Sequence, residues 1–260
     1  MTELLVHRFP GCDGLELVYR EMGYGRPLVL LHGFTSTALQ WIHHGPAATI
    51  AQHGYRVILP DLRGHGDSPR PHDPVCYPPD VLADDGLALI DWLGLDDYDL
   101  GGYSLGGRIV LRMLVRGARP ARAIVAGQGL DAINRATSRS GRNRRVLTAL
   151  ANRDTIEPGS PDEEMAQWIT QSGGDPQALC HVLDTHVATP DVALCQVATP
   201  TLVVIGDQDN DHASADALAA TLPNARFTRV PGNHFTALNR PELATAIVAF
   251  LNDHPHEPTS

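Results

Sequence analysis

Three side chains scattered along the chain have the types needed for a nucleophilic relay. Ser104 stands in Gly102-Tyr103-Ser104-Leu105-Gly106, a run that fits the nucleophile elbow, in which a serine sits on a strained strand-to-helix turn. A serine hydroxyl attacks poorly until a base takes its proton, and that base must be held in one tautomer by a third group. The histidine candidate is His234, in Pro231-Gly232-Asn233-His234. The acid candidate is Asp209, in Gly206-Asp207-Gln208-Asp209-Asn210-Asp211. Asp207 also reads as a turn-maker bonding its local backbone, and Asp211 as a cap of the next helix. Serine, then acid, then histidine is the chain order expected when each leaves the end of a strand.

The elements that must position these groups follow from the apolar pattern. Residues 98–103 end a buried strand, and after Ser104 residues 108–115 are apolar enough for a buried helix. That helix would point its N-terminus, with unpaired N–H groups and a positive dipole end, at Ser104. Between strand and helix the backbone must double back so closely that a β-carbon two residues either side of the serine would strike neighbouring backbone. Glycine tolerates this approach. Residues 3–9 and 15–22 alternate as an antiparallel pair. Residues 27–31, 55–59, 121–126, 201–205 and 226–230 read as strands, several of them continuously apolar as expected when both faces are covered. Helical patterns over residues 38–53, 81–93, 214–222 and 241–253 alternate with them, predicting a mostly parallel sheet with helices on both faces. Residues 128–198 break the alternation; they are polar, arginine-rich and helix-patterned, and read as a cap inserted into a core made of residues 1–127 and 199–260. The tail at 254–260 reads as frayed.

Five motifs taken together resemble the α/β-hydrolase fold family, in its small single-domain esterase- and lactonase-like branch. They are His32-Gly33-Phe34, Asp61-Leu62-Arg63-Gly64-His65-Gly66-Asp67-Ser68, the elbow, Gly206-Asp207-Gln208-Asp209 and Gly232-Asn233-His234. The resemblance implies an α/β-hydrolase fold and a catalytic triad of Ser104, His234 and Asp209. It also implies an oxyanion hole made by the backbone N–H groups of Phe34 and Leu105. Asp131 occupies the acid position of some relatives. Dehalogenase and epoxide-hydrolase relatives carry aspartate as nucleophile, so Ser104 argues against both. Tyr103 before the serine is tolerated, and Gly101, where a branched residue is more usual, should loosen the packing of the elbow strand.

The expected reaction is hydrolysis of a small carboxylic ester or lactone through an acyl-enzyme, with no cofactor. The same triad would serve a thioesterase, acyltransferase, perhydrolase or carbon–carbon bond hydrolase. A receptor that binds a small molecule without turnover is the reading from another class. Trp41, Tyr103, Met165 and Trp168 are candidate walls of an acyl pocket. Arg135, Arg139, Arg142, Arg144 and Arg145 read as a solvated helix face, or as the source of one arginine for a substrate carboxylate. His32 is expected to brace the oxyanion loop, Arg63 and His65 to hold the shape of theirs, and His212 to lie on the surface.

Composition narrows the field further. The net charge of -10 argues against nucleic acid or an anionic membrane as partner, and leaves a small-molecule substrate. No apolar run is long enough for a transmembrane helix, and residues 1–8 lack the pattern of a signal peptide. Cys12, Cys76, Cys180 and Cys195 are scattered, which suits a reducing cytoplasm, and the histidines show no metal-type spacing, so no metal is expected. All 20 cationic side chains are arginine; without lysine, Schiff-base chemistry is excluded.

Overall fold

In a computed structural model, which describes residues 4–43, 45–135 and 140–253, the apolar runs become one eight-stranded sheet. β1 (Leu5–Pro10) and β2 (Glu16–Met22) form the antiparallel edge. β3 (Arg26–Leu31) follows, then two short helices, α1 (Leu39–Ile42) and α2 (Ala47–Gln52), where one long helix is expected from sequence. Gly45 lies against the Trp41 carbonyl, and Pro46 has no N–H with which to continue a helix, so the chain breaks there and restarts. β4 (Tyr55–Asp61), α3 (Val81–Trp92), β5 (Asp99–Tyr103), α4 (Leu105–Val115) and β6 (Arg122–Ala126) carry the chain to the middle of the sheet.

Five helices then intervene: α5 (Leu130–Ile133), α6 (Ser140–Asn152), α7 (Pro161–Gln171), α8 (Pro176–Asp184) and α9 (Asp191–Leu194). The sheet resumes with β7 (Thr201–Gly206), α10 (Ala215–Thr221), β8 (Ala225–Val230) and α11 (Pro241–Asn252). Its order is β1-β2-β4-β3-β5-β6-β7-β8, and every pairing from β4 onward is parallel. This is an α/β-hydrolase fold.

Strand side chains alternate between two cores. On β3, Val29 and Leu31 join the α3 and α4 side, while Leu28 and Leu30 join the side of α1, α2 and α11; all four are fully buried. The intervening helices close a smaller core of their own from Val146, Leu147, Ala166, Ile169, Leu179 and Leu183. Phe34 packs against both this core and the α4 side of the sheet, so the loop after β3 lies where the two meet. Arg108, on α4, bonds the carbonyls of Ala132 (2.6 Å), Val187 (3.0 Å) and Arg135, tying the helical segment to the helix behind Ser104.

Candidate active site

The elbow behaves as its glycines demand. A β-carbon on Gly102 would sit inside the Gly106 carbonyl group, and one on Gly106 would strike the carbonyl of Leu31. Ser104 itself has φ 55° and ψ -114°, a left-handed conformation that an L-residue holds only where the surrounding structure over-determines it. Ser104 N–H donates to the Ala126 carbonyl (2.8 Å), and its own carbonyl accepts from Gln128 Nε2 (2.6 Å). Gly101 does not loosen β5. A β-carbon there would meet Leu30 Cδ2 at 2.7 Å and Ile124 Cβ at 3.2 Å, because neighbouring side chains already fill the space.

Two more strand ends bring the partners. Gly206, at the end of β7, packs against the Gly232 carbonyl after β8. Gln208 N–H donates to that carbonyl (3.0 Å), and Gly232 N–H donates to Asp207 Oδ1 (2.9 Å). Asp207 thus stitches the acid loop to the histidine loop. Asp131 supplies its backbone N–H to Ser214 Oγ (3.0 Å) and makes no bond to His234. Asp209 does. Its Oδ2 lies 2.7 Å from His234 Nδ1, and His234 Nε2 lies 2.9 Å from Ser104 Oγ. The loops after β5, β7 and β8 therefore converge into one hydrogen-bonded line. Asp209 has its side chain 1% exposed, and bonds from two histidines hold its carboxyl well below the usual range against the opposing pull of burial, so it stays ionised.

The second histidine is His212, which the sequence reading placed on the surface. Its Nδ1 lies 3.1 Å from Asp209 Oδ1, and its ring stacks on that of His234 at 4.5 Å and 22°. The missed signal was local. Asp209 and His212 flank a short helical turn, Asn210–His212, which brings a residue three positions on back over the acid. Carboxylate and imidazoles lie within metal-ligand reach of one another. Near-parallel rings oppose chelation, however, because an ion binds in the plane of each imidazole. The cluster suits two N–H donors on one carboxylate.

The loop after β3, where the resemblance puts an oxyanion hole, is braced by His32 and Gln40. His32 Nε2 accepts from Leu62 N–H (3.0 Å), so Nδ1 carries the proton and donates to the Gly33 carbonyl (2.8 Å). Burial pushes the His32 ring below its ordinary pKa and keeps it neutral. Gly33 N–H donates to Gln40 Oε1 (2.7 Å). Leu105 opens α4, so its N–H is one of those left without an intrahelical acceptor, and Phe34 N–H has no partner among the described residues. Arg63, fully buried, spends all five N–H donors on Asp13, Asp85 and the Cys76 carbonyl at 2.6–2.9 Å.

The proposed pocket walls separate. Trp41 is fully buried among Leu28, Leu30 and Ile50, on the face of the sheet away from α4, so it is core and not pocket wall. Tyr103, 3% exposed, is a brace: its hydroxyl donates to the His234 carbonyl (2.7 Å), and its ring meets Trp41 edge-on at 6.4 Å. Trp168 reaches the loop after β3, its Nε1 donating to Thr35 Oγ1 (3.2 Å), and Met165 packs on the core of the helical segment. Arg142 and Arg145 both bond Asp162, and Arg144 bonds Asp184, all at exposed positions. Arg139 and the tail at 254–260 lie outside the described residues.

A sheet of this topology with a serine, histidine and carboxylate converging on its C-terminal edge defines a hydrolase scaffold. Residues 26–135 match the family model described as the alpha/beta hydrolase fold. The chain is 30% identical over 274 residues to the non-heme chloroperoxidase CPO-A1 of Kitasatospora aureofaciens, covering 92% of this chain and 97% of that protein. The chain belongs to the α/β-hydrolase fold family and is an enzyme of that family. Solved structures agree on the fold. A thermophilic esterase from Thermogutta terrifontis is 24% identical with a TM-score of 0.74, over 96% of this chain and 98% of that one. An enol-lactonase from Burkholderia xenovorans is 22% identical with a TM-score of 0.72, over 93% and 98%. No helix among the described residues is long and apolar enough to cross a membrane.

Proposed function

We propose that the protein hydrolyses a small carboxylic ester or lactone through an acyl-enzyme on Ser104. The observation that carries this reading is the unbroken line from Ser104 Oγ through both nitrogens of His234 to Asp209, at 2.9 and 2.7 Å. Ser104 attacks the acyl carbonyl while His234 Nε2 takes the hydroxyl proton. The ionised Asp209 holds Nδ1–H and offsets the charge that forms on the ring. His234 returns the proton to the leaving alcohol, or to the ring-opened oxygen of a lactone, and water then repeats the cycle. Leu105 and Phe34 donate backbone N–H groups to the oxyanion, each worth roughly 3 to 4 kcal/mol in sites of this kind. Residues 128–198 act as the cap, with Trp168 and Met165 on its acyl-facing wall. The chemistry needs no cofactor, and the acidic surface favours a small-molecule partner over nucleic acid or membrane.

The name of the full-length chloroperoxidase relative favours one second reading, in which hydrogen peroxide replaces water at the acyl-enzyme and releases a peracid. One experiment serves both. A fluorophosphonate should label Ser104 with loss of p-nitrophenyl acetate turnover, and Ser104→Ala should lower kcat by about 10⁶-fold while leaving the fold intact. Adding peroxide to the acetate reaction distinguishes peracid release from hydrolysis. Labelling elsewhere, or full turnover by Ser104→Ala, removes the mechanism. A single slow turnover would indicate a receptor.

A further inference from the structure

His212 is the group near the relay that the hydrolytic cycle above does not use. Its place is not that of a bystander. Asp209 is buried, and its carboxylate has two oxygens to satisfy. One, Oδ2, faces His234 Nδ1 at 2.7 Å; the other, Oδ1, faces His212 Nδ1 at 3.1 Å. Among the described residues no backbone N–H and no other side chain donates to this carboxylate. An acid held by His234 alone could turn about its terminal bond and leave the histidine without a fixed partner. A buried oxygen left unbonded carries the cost of its lost hydration. The ring of His212 also lies flat over that of His234, 4.5 Å between centroids and 22° apart, with Tyr103 on His234 from another side at 5.6 Å. With Phe235 edge-on at 5.6 Å, His234 has three aromatic neighbours and one bond at each nitrogen.

We propose that His212 is a positioning residue for the proton relay: by donating Nδ1–H to Asp209 Oδ1 it locks the carboxylate so that Oδ2 faces His234 throughout the cycle. This rests on the triad reading above. It gives the acid two imidazoles with separate duties, one that moves a proton and one that holds the acceptor still. His212 touches neither the serine nor the acyl group, so its loss should fall on the chemical step and leave substrate binding alone.

The side chain at 212 allows a discriminating pair of variants. Asparagine places its amide nitrogen at the same branch point as histidine Nδ1, so His212→Asn keeps the donor and discards the ring. His212→Phe keeps a flat ring for stacking and discards the donor. With p-nitrophenyl acetate as probe, His212→Phe should lower kcat by about tenfold or more, the scale of a lost hydrogen bond to a charged group, with KM unchanged. His212→Asn should return kcat to within about threefold of the parent. Circular dichroism and the urea midpoint, measured alongside, normalise each rate to folded protein. If His212→Phe matches the parent in kcat, or His212→Asn is as slow as His212→Phe, the donor has no role and the proposal falls. Ser104→Ala, run in parallel, separates the two readings: if it retains turnover, the triad itself is wrong, whereas a silent His212 with an inactive Ser104→Ala overturns only the role of the second histidine.

Discussion

In the loop that follows β4 a buried guanidinium has every donor satisfied; in the helices between β6 and β7, the described arginine–aspartate pairs are partly exposed. Arg63 is fully buried and bonds Asp13 on the turn after β1, Asp85 on α3 and the Cys76 carbonyl. One guanidinium thus fastens three distant segments beneath the loop that follows β4. On the helices between β6 and β7, Arg142 and Arg145 share Asp162, with arginine side chains 47% and 64% exposed. The contrast separates two jobs. The relay proposed for Ser104, His234 and Asp209 would tolerate no slack, and desolvated, geometrically fixed supports suit it. The helices between β6 and β7, proposed as a cap, would need attachment more than registration, and solvated pairs supply little net energy.

The largest test of that contrast removes a buried cation. Arg63→Met leaves Asp85 as an uncompensated buried carboxylate and should cost about 3 to 5 kcal/mol in urea unfolding. Asp162→Asn, its counterpart on the covering helices, should leave the urea midpoint unchanged within error. Equal losses from both substitutions would erase the distinction between the regions.

Much of the frame was legible before any coordinates. The continuous apolar runs gave the central strands because parallel strands covered on both faces leave no polar side, and the elbow glycines announced a turn with no room for a methyl group. Ser104, Asp209 and His234, which the structure brings into one hydrogen-bonded line, could be singled out because each lies on a loop leaving the C-terminal end of a strand. Less legible were contacts made by direction rather than by type. Trp41 carries the composition of a pocket wall, yet it points into the core on the other face of the sheet. Tyr103 precedes the nucleophile, but its hydroxyl reaches the His234 carbonyl 131 residues away. His212 needed a turn of backbone to be seen at all, since its three-residue offset from the acid brings it close only in a helical conformation.

Acid should probe both regions at once. His65, packed against His32 and Phe34, and His186, in the segment between β6 and β7, are each pushed by burial from 6.5 to about 3. Both stay neutral in the folded protein, whereas the unfolded chain takes up protons as pH falls below 6.5. The unfolded state then binds more protons, so stability is full above pH 6.5 and declines toward pH 3, by up to about 1.4 kcal/mol per pH unit for each ring. His186 lines a cavity of about 20 Å³ beside Leu105 and Arg108, with neither ring nitrogen bonded. His186→Leu should therefore flatten the decline between pH 6.5 and 5.5 by about half of the two-histidine slope. An unflattened decline would mean that water reaches this ring and that the covering segment is held more loosely than the sheet.

The smallest effect comes from a single methyl group. At Gly106 an added β-carbon meets the backbone of Leu31, which cannot yield, whereas at Gly141 on α6 nothing lies within 4 Å. Gly141 also lacks a left-handed φ, so alanine fits its conformation without strain. Gly141→Ala should therefore stabilise the protein, through the freedom it removes from the unfolded chain, by about 0.5 kcal/mol. That is less than the interior-helix figure of roughly 1, because the first turn is only partly bonded. A thermal shift of about 1 to 2 °C with an unchanged rate on p-nitrophenyl acetate is the expected result. A loss of stability would show that the start of α6 is not helical in solution, and the helices between β6 and β7 would then owe their order to the sheet rather than to themselves.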